Sequence, residues 1–301
     1  MKVLRAVGEL REHLAPVRRE GLRIGLVPTM GALHEGHLSL IRHARESCDV
    51  VVVSLFVNPA QFNERSDLER YPRDEAHDAE LAQTAGADVL FAPTVEEVYP
   101  AGFATSVEVV GVSERLEGAA RGAEHFRGVA TVVTKLLGMV QPEVAYFGQK
   151  DAQQVVVIRR LAADLNLPVA IEALPTVREA DGLAMSSRNA LLSPDERRRA
   201  LALSAGLRAA ARLAEQGEIR AEVLLAATNE ALGVEGIEPE YVALVDPHTL
   251  EPAAKLGGSA LLAIAARVGE VRLIDNTILS PVGHTPAGQT SEGKAMATCS
   301  A

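Results

Sequence analysis

The feature that most constrains the fold of this chain is the alternation of short apolar runs and helical segments in its first part. The apolar runs lack the polar alternation of a half-exposed strand, so they predict strands buried on both faces. These runs are Leu22–Val27, Val50–Leu55, Val89–Phe91, Val144–Phe147 and Val169–Leu174. Buried strands separated by helices predict an α/β fold with a doubly wound, parallel, Rossmann-like sheet.

The segments between these runs have helical spacing. We predict helices over Leu38–Ser47, Arg73–Ala85, about 129–140 and Ala152–Leu165. Gly86 follows the second of them and is a suitable C-cap, because glycine adopts the left-handed backbone that ends many helices.

The pattern changes after about residue 176. The segment Ser193-Pro194-Asp195-Glu196 is typical of a helix start with a capping box, and a second helix is predicted near 221–232. Three extended runs follow, and a short connection joins the last two as a hairpin. We predict a Rossmann-like domain over residues 1–178, a smaller C-terminal α+β lid domain over 179–282, and a disordered tail over 283–301.

Composition excludes several classes of protein. The 301 residues carry a formal net charge of −10, which disfavours a nucleic-acid partner because phosphate backbones attract clustered Lys and Arg. The sequence has no uninterrupted apolar stretch long enough to predict a membrane span, and its N-terminus lacks the apolar region that would predict a signal peptide. The two cysteines, Cys48 and Cys299, do not form a disulfide framework, so a reducing cytoplasm is the expected location.

The segment after the first predicted strand carries the most specific motif. Residues 25–38 read GLVPTMGALHEGHL. We expect the chain to turn through Pro28 and Gly31, and His34 and His37 to arrive as a helix begins. Amide N–H groups at a helix N-terminus carry partial positive charge, which favours phosphate binding. Two surface histidines, or a metal site using both rings, are the alternatives for an isolated H-x-x-H.

Two further segments carry groups that suit a triphosphate. Gly148-Gln149-Lys150-Asp151 follows a predicted strand, and Lys150 would place a compact cation there. Asp151 is either a helix N-cap or a partner of a nucleotide hydroxyl or a magnesium shell. Met185-Ser186-Ser187-Arg188 offers hydroxyl donors and a guanidinium. Its place near the predicted domain junction would let it close over a bound triphosphate.

Two glutamines suit a small hydroxy-acid. Gln61 follows the second predicted strand and Gln154 lies on a later predicted helix. A glutamine side chain both donates and accepts hydrogen bonds, as a hydroxyl and a carboxylate require, although a lone glutamine is usually solvent-exposed. Apolar walls for such an acid could come from Met30, Phe56, Phe62 and Val132.

These motifs together resemble a known family. H-x-G-H at 34–37 and the segment 184–189 are similar to motifs of nucleotidyltransferases that act on the α-phosphate of a nucleoside triphosphate. Among these enzymes, the chain resembles the pantoate–β-alanine ligases from about Arg23 to Leu279. The segments that carry this resemblance are Pro28–His37, Phe56–Phe62, Tyr71–Arg73, Phe147–Gln154 and Pro175–Asn189. The resemblance implies condensation of (R)-pantoate with β-alanine to pantothenate, with ATP converted to AMP and pyrophosphate through a pantoyl-adenylate. It also implies Mg²⁺, a cytoplasmic enzyme and a homodimer.

The resemblance also implies residue roles. His37 corresponds to the residue described as the family's proton donor, and His34 and Lys150 are the other catalytic candidates. On physical grounds we expect both histidines to donate hydrogen bonds to phosphate. Gln61 corresponds to a glutamine that contacts pantoate and β-alanine, and Gln154 to a second pantoate ligand. The implied ATP-binding residues are Met30, Gly31, Ala32, Leu33, His34, Glu35, Gly36, His37, Gly148, Gln149, Lys150, Asp151, Val177, Met185, Ser186, Ser187 and Arg188.

The sequence departs from the family pattern at Gln149, where a glutamate is usual, and it names no magnesium ligands. Two other functions stay open at this stage. One is another nucleotidyltransferase of the same superfamily acting on a different small acid or phosphate. The other is a non-catalytic nucleotide-binding protein, which the presence of His34, His37, Lys150 and Arg188 disfavours.

Overall fold

The chain builds a six-stranded sheet in which every neighbouring pair of strands is parallel. The computed structural model describes residues 1–62 and 65–283, without the side chains of 65–67 and 123. The strand order is β1-β4-β3-β2-β5-β6. The strands are β1 Lys2–Leu4, β2 Ile24–Thr29, β3 Val50–Leu55, β4 Val89–Phe91, β5 Val144–Gly148 and β6 Ala170–Leu174. This confirms the predicted fold class.

Helices cover both faces of the sheet. One face packs against α1, α7 and α8, and the other against α2 and α4. The helices of this part are α1 Val7–Arg19, α2 Glu35–Ser47, α3 Arg65–Arg70, α4 Glu75–Ala85, α5 Val95–Val98, α6 Glu117–Arg121, α7 Ala123–Val140 and α8 Ala152–Asp164. Burial on both faces explains why the strands are continuously apolar.

The strand order reverses direction between β2 and β5. From β2 the chain moves to β3 and β4 on one side, and then returns to β5 on the other. Helices on opposite faces leave a crevice at such a point, beyond the carboxyl ends of the strands. The turns that follow β2 and β5 therefore face each other across the crevice.

The C-terminal part has its own hydrophobic core. It comprises α9 Pro194–Glu215, α10 Ala221–Val234 and an antiparallel sheet of β7 Pro239–Val245, β8 Ala260–Val268 and β9 Val271–Leu279. The predicted capping box at Ser193 and Glu196 is present. A smaller apolar cluster joins α8 to this sheet through Ala152, Val156, Leu261 and Ala263. The domain bounds at 178 and 282 stay predictions, and 284–301 lie outside the described residues.

Several local predictions need correction. Pro28 lies inside β2, paired with Ser54, and the turn uses Gly31 and Ala32, whose φ angles are +88° and +51°. The predicted helix from 73 begins at Glu75, because the Asp74 side chain accepts a hydrogen bond from the His77 amide and caps it there. Gly86 ends that helix at φ +106°, as predicted.

Within the described residues, no helix is long and apolar enough to cross a membrane.

Candidate active site

A large cavity of about 1110 Å³ opens at the carboxyl ends of β2, β3 and β5, and we call it the cleft. The face of the small antiparallel sheet that carries Arg272 and Asn276 forms its opposite wall. The structure brings most of the predicted site residues into the lining. These are Met30, His34, Gly36, His37, Gln61, Gly148, Lys150, Asp151, Gln154, Val177, Met185, Ser186, Ser187 and Arg188.

The remaining predicted residues lie outside the lining. Gly31, Ala32 and Leu33 form the loop before α2, and Leu33 is buried. Glu35 forms an exposed ion pair with Arg42 on its own helix, so its charge is not aimed at the cleft. Gln149 contacts the C-terminal sheet, as described below.

The two histidines are held by backbone amides at the start of α2. His34 is the N-cap, and its Nδ1 accepts a hydrogen bond from the Gly36 amide at 3.2 Å. The Nδ1 of His37 accepts one from the His34 amide at 3.3 Å. Because Nδ1 is the acceptor in each ring, the neutral tautomer carries its proton on Nε2. Each ring therefore offers an Nε2–H donor.

Both rings are neutral in the free protein. Burial lowers the pKa of His34, and the charge of Lys150 lowers it further. Burial lowers the pKa of His37 to about 3, with further contributions from His34 and Lys150. The ring centroids are 4.1 Å apart, so two positive charges would repel strongly. A phosphate that bound here would meet neutral N–H donors beside the cation of Lys150.

Gly36 leaves room for the ring of His34 at the start of α2. A Cβ at this position would stand 2.9 Å from the ring of His34, which is too close for a real contact. The glycine therefore makes room for the His34 ring against the helix, and it also lines the cleft. Gly148 also lines the cleft, and its φ of −82° is an ordinary backbone angle that does not require glycine.

Asp78 supports the loop before the histidines. It is 2 % exposed on α4, and its carboxylate accepts hydrogen bonds from the amides of Ala32 at 2.9 Å and Leu33 at 2.7 Å. These bonds hold Ala32 in its left-handed conformation, which is unfavourable for a residue with a Cβ. Sequence reasoning missed Asp78, since its partners lie far away along the chain.

The turn that carries Lys150 is fixed from the opposite wall. The Asn276 side-chain amide donates to the backbone carbonyls of Gln149 at 3.0 Å and Lys150 at 2.9 Å. Gln149 in turn donates its Nε2 to the Asn276 Oδ1 at 3.4 Å. Gln149 therefore serves as an uncharged contact between the two sheets. Asp151 stands at the N-cap position of α8, as one of the two alternatives predicted, but its side chain makes no capping hydrogen bond.

The Met185–Arg188 segment follows a braced hairpin. The Met185 amide donates to the Val177 carbonyl at 3.0 Å. Arg178 forms a bidentate pair with the buried Asp275 at 2.6 and 2.9 Å. The side chain of Tyr71, from the segment before α4, hydrogen-bonds to Ser187. The segment is thus tied both to β9 and to the first part of the chain.

The other end of the cleft has apolar walls and amide groups. Met30, Phe56, Phe62 and Val132 line it, as the sequence predicted. Gln61 accepts a hydrogen bond from Asn58 at 3.1 Å, and its Nε2 lies 2.9 Å from the Met30 sulfur. The short turn that carries Gln61, Pro59–Gln61, packs tightly on α7. A Cβ at Gly128 would overlap the Ala60 carbonyl oxygen.

A buried charge network joins the two walls of the cleft. Glu117 of α6 accepts both Nη groups of Arg272 at 2.6 and 2.8 Å, and also the Tyr241 hydroxyl at 2.8 Å. Burial opposes ionisation of Glu117, but Arg272, with Arg121 and Tyr241, outweighs it and lowers the pKa to about 2. Glu117 is therefore a carboxylate at neutral pH with its oxygens already occupied.

The family assignment rests on comparison with known proteins. The model of the family described as pantoate-beta-alanine ligase matches residues 2–278. The chain belongs to the pantoate–β-alanine ligase family. This ligase is 53% identical over 280 residues to "Pantothenate synthetase" of Moorella thermoacetica, covering 93% of this chain and 99% of the relative. It is 56% identical over 282 residues to "Pantothenate synthetase 1" of Bradyrhizobium diazoefficiens, with coverage of 93% and 99%.

Solved structures agree with this assignment. The crystal structure of pantothenate synthetase from Thermus thermophilus matches with a TM-score of 0.88 and 49% identity, covering 93% of this ligase and 100% of that chain. A pantoate-beta-alanine ligase from Francisella tularensis matches with a TM-score of 0.75 and 34% identity, covering 92% and 97%. That structure is described as a complex with beta-gamma ATP and beta-alanine.

Proposed function

We propose that this ligase condenses (R)-pantoate with β-alanine, with ATP converted to AMP and pyrophosphate through a pantoyl-adenylate. The observation that carries the proposal is the division of one cleft into two ends. One end holds neutral N–H donors, Lys150 and the Met185–Arg188 segment, and the other holds apolar walls with Gln61. Such a cleft suits a triphosphate next to a branched hydroxy-acid. The Francisella relative, whose structure is described as a complex with beta-gamma ATP and beta-alanine, supports it.

In the first step, the pantoate carboxylate attacks the α-phosphorus of ATP and pyrophosphate leaves. Gln61 and Gln154 would hold the pantoate, and the Nε2–H groups of His34 and His37 would stabilise charge on the phosphate oxygens. A carboxylate nucleophile has no proton to lose, so the step needs positioning and charge stabilisation rather than a base. Lys150 and Arg188 would bind the leaving pyrophosphate.

Magnesium is part of the proposal as a companion of the nucleotide. Among the described residues, no group of three or more His, Cys, Asp or Glu side chains could hold a metal ion. Asp151 supplies one carboxylate to the cleft. This fits an ion held mostly by phosphate oxygens and water, with Asp151 as a direct or water-mediated partner. Such an ion would neutralise charge on the phosphates.

The two walls would protect the adenylate from water. An acyl-adenylate hydrolyses if solvent reaches it, so the cleft should stay closed between the two steps. The bonds from Asn276 to the Lys150 turn and from Arg272 to Glu117 hold the C-terminal sheet against this end of the Rossmann-like sheet. We assign the C-terminal part the role of a lid.

The remaining parts of the proposal concern the setting of the enzyme. We place the reaction in the cytoplasm, where ATP is available. We also propose a homodimer, supported by the exposed apolar side chains of Phe103 and Val110, which are 37% and 72% exposed. Light scattering at micromolar concentration should give twice the chain mass of 31.9 kDa. A single chain mass would reject the dimer without touching the catalytic proposal.

Isotope transfer tests the catalytic proposal. Pantoate labelled with oxygen-18 in its carboxylate is incubated with ATP, Mg²⁺ and the enzyme, and β-alanine is then added. We expect a burst of pyrophosphate before the β-alanine, and label in AMP after it. Label in pyrophosphate or phosphate would mean attack at another phosphorus and would reject the adenylate. Pyrophosphate release with other small acids but not with pantoate would favour a different nucleotidyltransferase.

A further inference from the structure

The second half of the proposed reaction needs a base, and this inference rests on that proposed function. The amine of β-alanine is mostly an ammonium ion at neutral pH, because alkyl amines such as the lysine side chain have pKa values of about 10. An ammonium nitrogen has no lone pair with which to attack a carbonyl carbon. A group in the cleft that accepts its proton would therefore increase the rate.

His125 has the geometry of such a group. It lies on α7 and lines the cleft at the end where Gln61 stands. Its Nδ1 is 2.9 Å from the backbone carbonyl oxygen of Gln61. A carbonyl can only accept, so Nδ1 carries the proton and Nε2 of the neutral ring carries a lone pair. Nε2 forms no hydrogen bond with the described parts of the chain.

The position of the ring relative to Gln61 is rigid. Asn58 donates its side-chain amide both to the Gln61 Oε1 and to the Gly128 carbonyl, each at 3.1 Å. Tyr99 donates its hydroxyl to the Asn58 Oδ1 at 2.8 Å. The turn before α3 and the first turns of α7 thus form one hydrogen-bonded unit. A substrate held by the Gln61 side chain would lie at a fixed position relative to the ring of His125.

Several other ionisable groups in the lining already have partners. The Nδ1 atoms of His34 and His37 already accept hydrogen bonds from backbone amides, and their Nε2 atoms carry the ring protons. The Glu117 oxygens are occupied by Arg272 and Tyr241, and its low pKa makes it a weak base. Glu240 is paired with Arg272, and Asp275 with Arg178.

We propose that His125 is the general base that deprotonates β-alanine for attack on the pantoyl-adenylate. One proton passes from the ammonium to Nε2, and the nitrogen lone pair then forms the C–N bond to the pantoyl carbonyl carbon. The C–O bond to the adenylate phosphate breaks, and AMP leaves with that electron pair. The second proton of the new ammonium centre passes to the AMP phosphate or to water, and His125 later releases its proton to water.

The surroundings keep the ring in its basic form. Burial lowers the pKa of His125, and Arg121 lowers it further, against the Gln61 carbonyl, Glu117 and Asp151, which raise it. Arg70 and Tyr71, from the segment between β3 and α4, also face the cleft. The imidazole is therefore neutral at pH 7 and free to accept a proton.

The test compares His125→Asn with wild type in the two half-reactions. The asparagine amide keeps a donor for the Gln61 carbonyl but supplies no base, so it separates catalysis from local structure. With preformed pantoyl-adenylate and β-alanine, we expect the variant to be slower by about 10²-fold at pH 7. Pyrophosphate release from ATP and pantoate should stay within a few-fold of wild type. A wild-type rate of the second step in His125→Asn would overturn the proposal.

The pH profile and a second nucleophile sharpen the test. The wild-type rate of the second step should be nearly level from about pH 7 to 9, whereas the variant rate should rise about tenfold per pH unit with the fraction of neutral amine. Hydroxylamine, which is uncharged at pH 7, should form pantoyl hydroxamate at similar rates in both proteins. An equal loss with hydroxylamine would mean that His125 only shapes the pocket.

These outcomes separate the two proposals. If wild type releases no pyrophosphate from ATP and pantoate, the proposed function fails and the base has no reaction to serve. If pyrophosphate is released normally and His125→Asn does not change the rate of the second step, the adenylate mechanism is retained and His125 is not the base.

Discussion

The two ends of the cleft use histidine in opposite ways. At the start of α2, Nδ1 of His34 and of His37 faces a backbone N–H, so each Nε2 is a donor. On α7, Nδ1 of His125 faces a backbone carbonyl, so its Nε2 is an acceptor. The same side chain therefore presents a proton to the cleft at one end and a lone pair at the other. The backbone group that contacts Nδ1 decides whether Nε2 donates or accepts a hydrogen bond.

The largest expected effect of breaking this contrast is at His37. His37→Ala removes the donor that we propose stabilises charge on the α-phosphate, and we expect adenylate formation to fall about 10²–10³-fold. His37→Gln should retain more activity than His37→Ala, because the glutamine amide is also a neutral donor. Rapid-quench measurement of pyrophosphate release gives both rates.

The control for this pair is His43→Ala on the same helix, whose side chain is 42% exposed and lies outside the lining of the cleft. It should react as wild type does. If His37→Ala reacted within a few-fold of wild type with unchanged melting, His37 would have no part in the first step.

Lys150→Ala tests whether the cation serves only the phosphate end. Loss of the charge should slow the ATP-dependent step strongly and spare reaction of preformed pantoyl-adenylate with β-alanine. Lys255→Ala, which removes an exposed lysine of the C-terminal part, is the matched control. Equal losses in both half-reactions would show that the Lys150 side chain instead organises the whole cleft.

A smaller, substrate-specific effect is expected at the other end. Gln61→Ala and Gln154→Ala should raise KM for pantoate, because each leaves a polar group of the acid unpaired at a cost of about 1–3 kcal/mol. KM for ATP should change much less. Gln83→Ala, an exposed glutamine on α4, should leave both values unchanged. Similar increases for both substrates would contradict the division of the cleft.

The smallest effect concerns pH and stability without substrates. His37 has a pKa of about 3 in the folded protein and about 6.5 when unfolded, so below 6.5 the unfolded chain binds a proton that the folded one does not. The free energy of unfolding should therefore fall by about 1–2 kcal/mol between pH 6.5 and 5 from this group. Urea unfolding of wild type and His37→Gln checks this, since the variant should lose that part of the slope.

Much of the fold could be predicted because each buried strand is a continuous apolar run that is visible in the sequence. Val50–Leu55 and Val89–Phe91 are apolar throughout, and the structure gives them the predicted bounds. Lys2–Leu4 was missed, since three residues show no period and form a strand only by pairing with β4. Pro28 was misplaced in the turn, because its fixed φ angle also suits the end of a strand.

The site was predictable where its residues follow one another along the chain. His34 and His37 share one turn, and Met185–Arg188 forms one segment, so motifs reveal them. Asp78, His125 and Asn276 act through backbone groups of distant segments, and such partners have no signature in the sequence. Gly36 is the intermediate case, since its motif was visible but its steric partner, the His34 ring, was not.

The close contact at Gly128 limits how this enzyme could change its substrates. Any side chain there would overlap the Ala60 carbonyl and stand 2.8 Å from the Gln61 amide nitrogen, so the turn would have to move off α7. That movement would displace the Gln61 side chain and the His125 contact together. A substitution at Gly128 that made room for a longer acid would therefore also disturb the amine position that we propose. We expect variants with altered acid preference to arise from the apolar wall at Phe56 and Val132 instead.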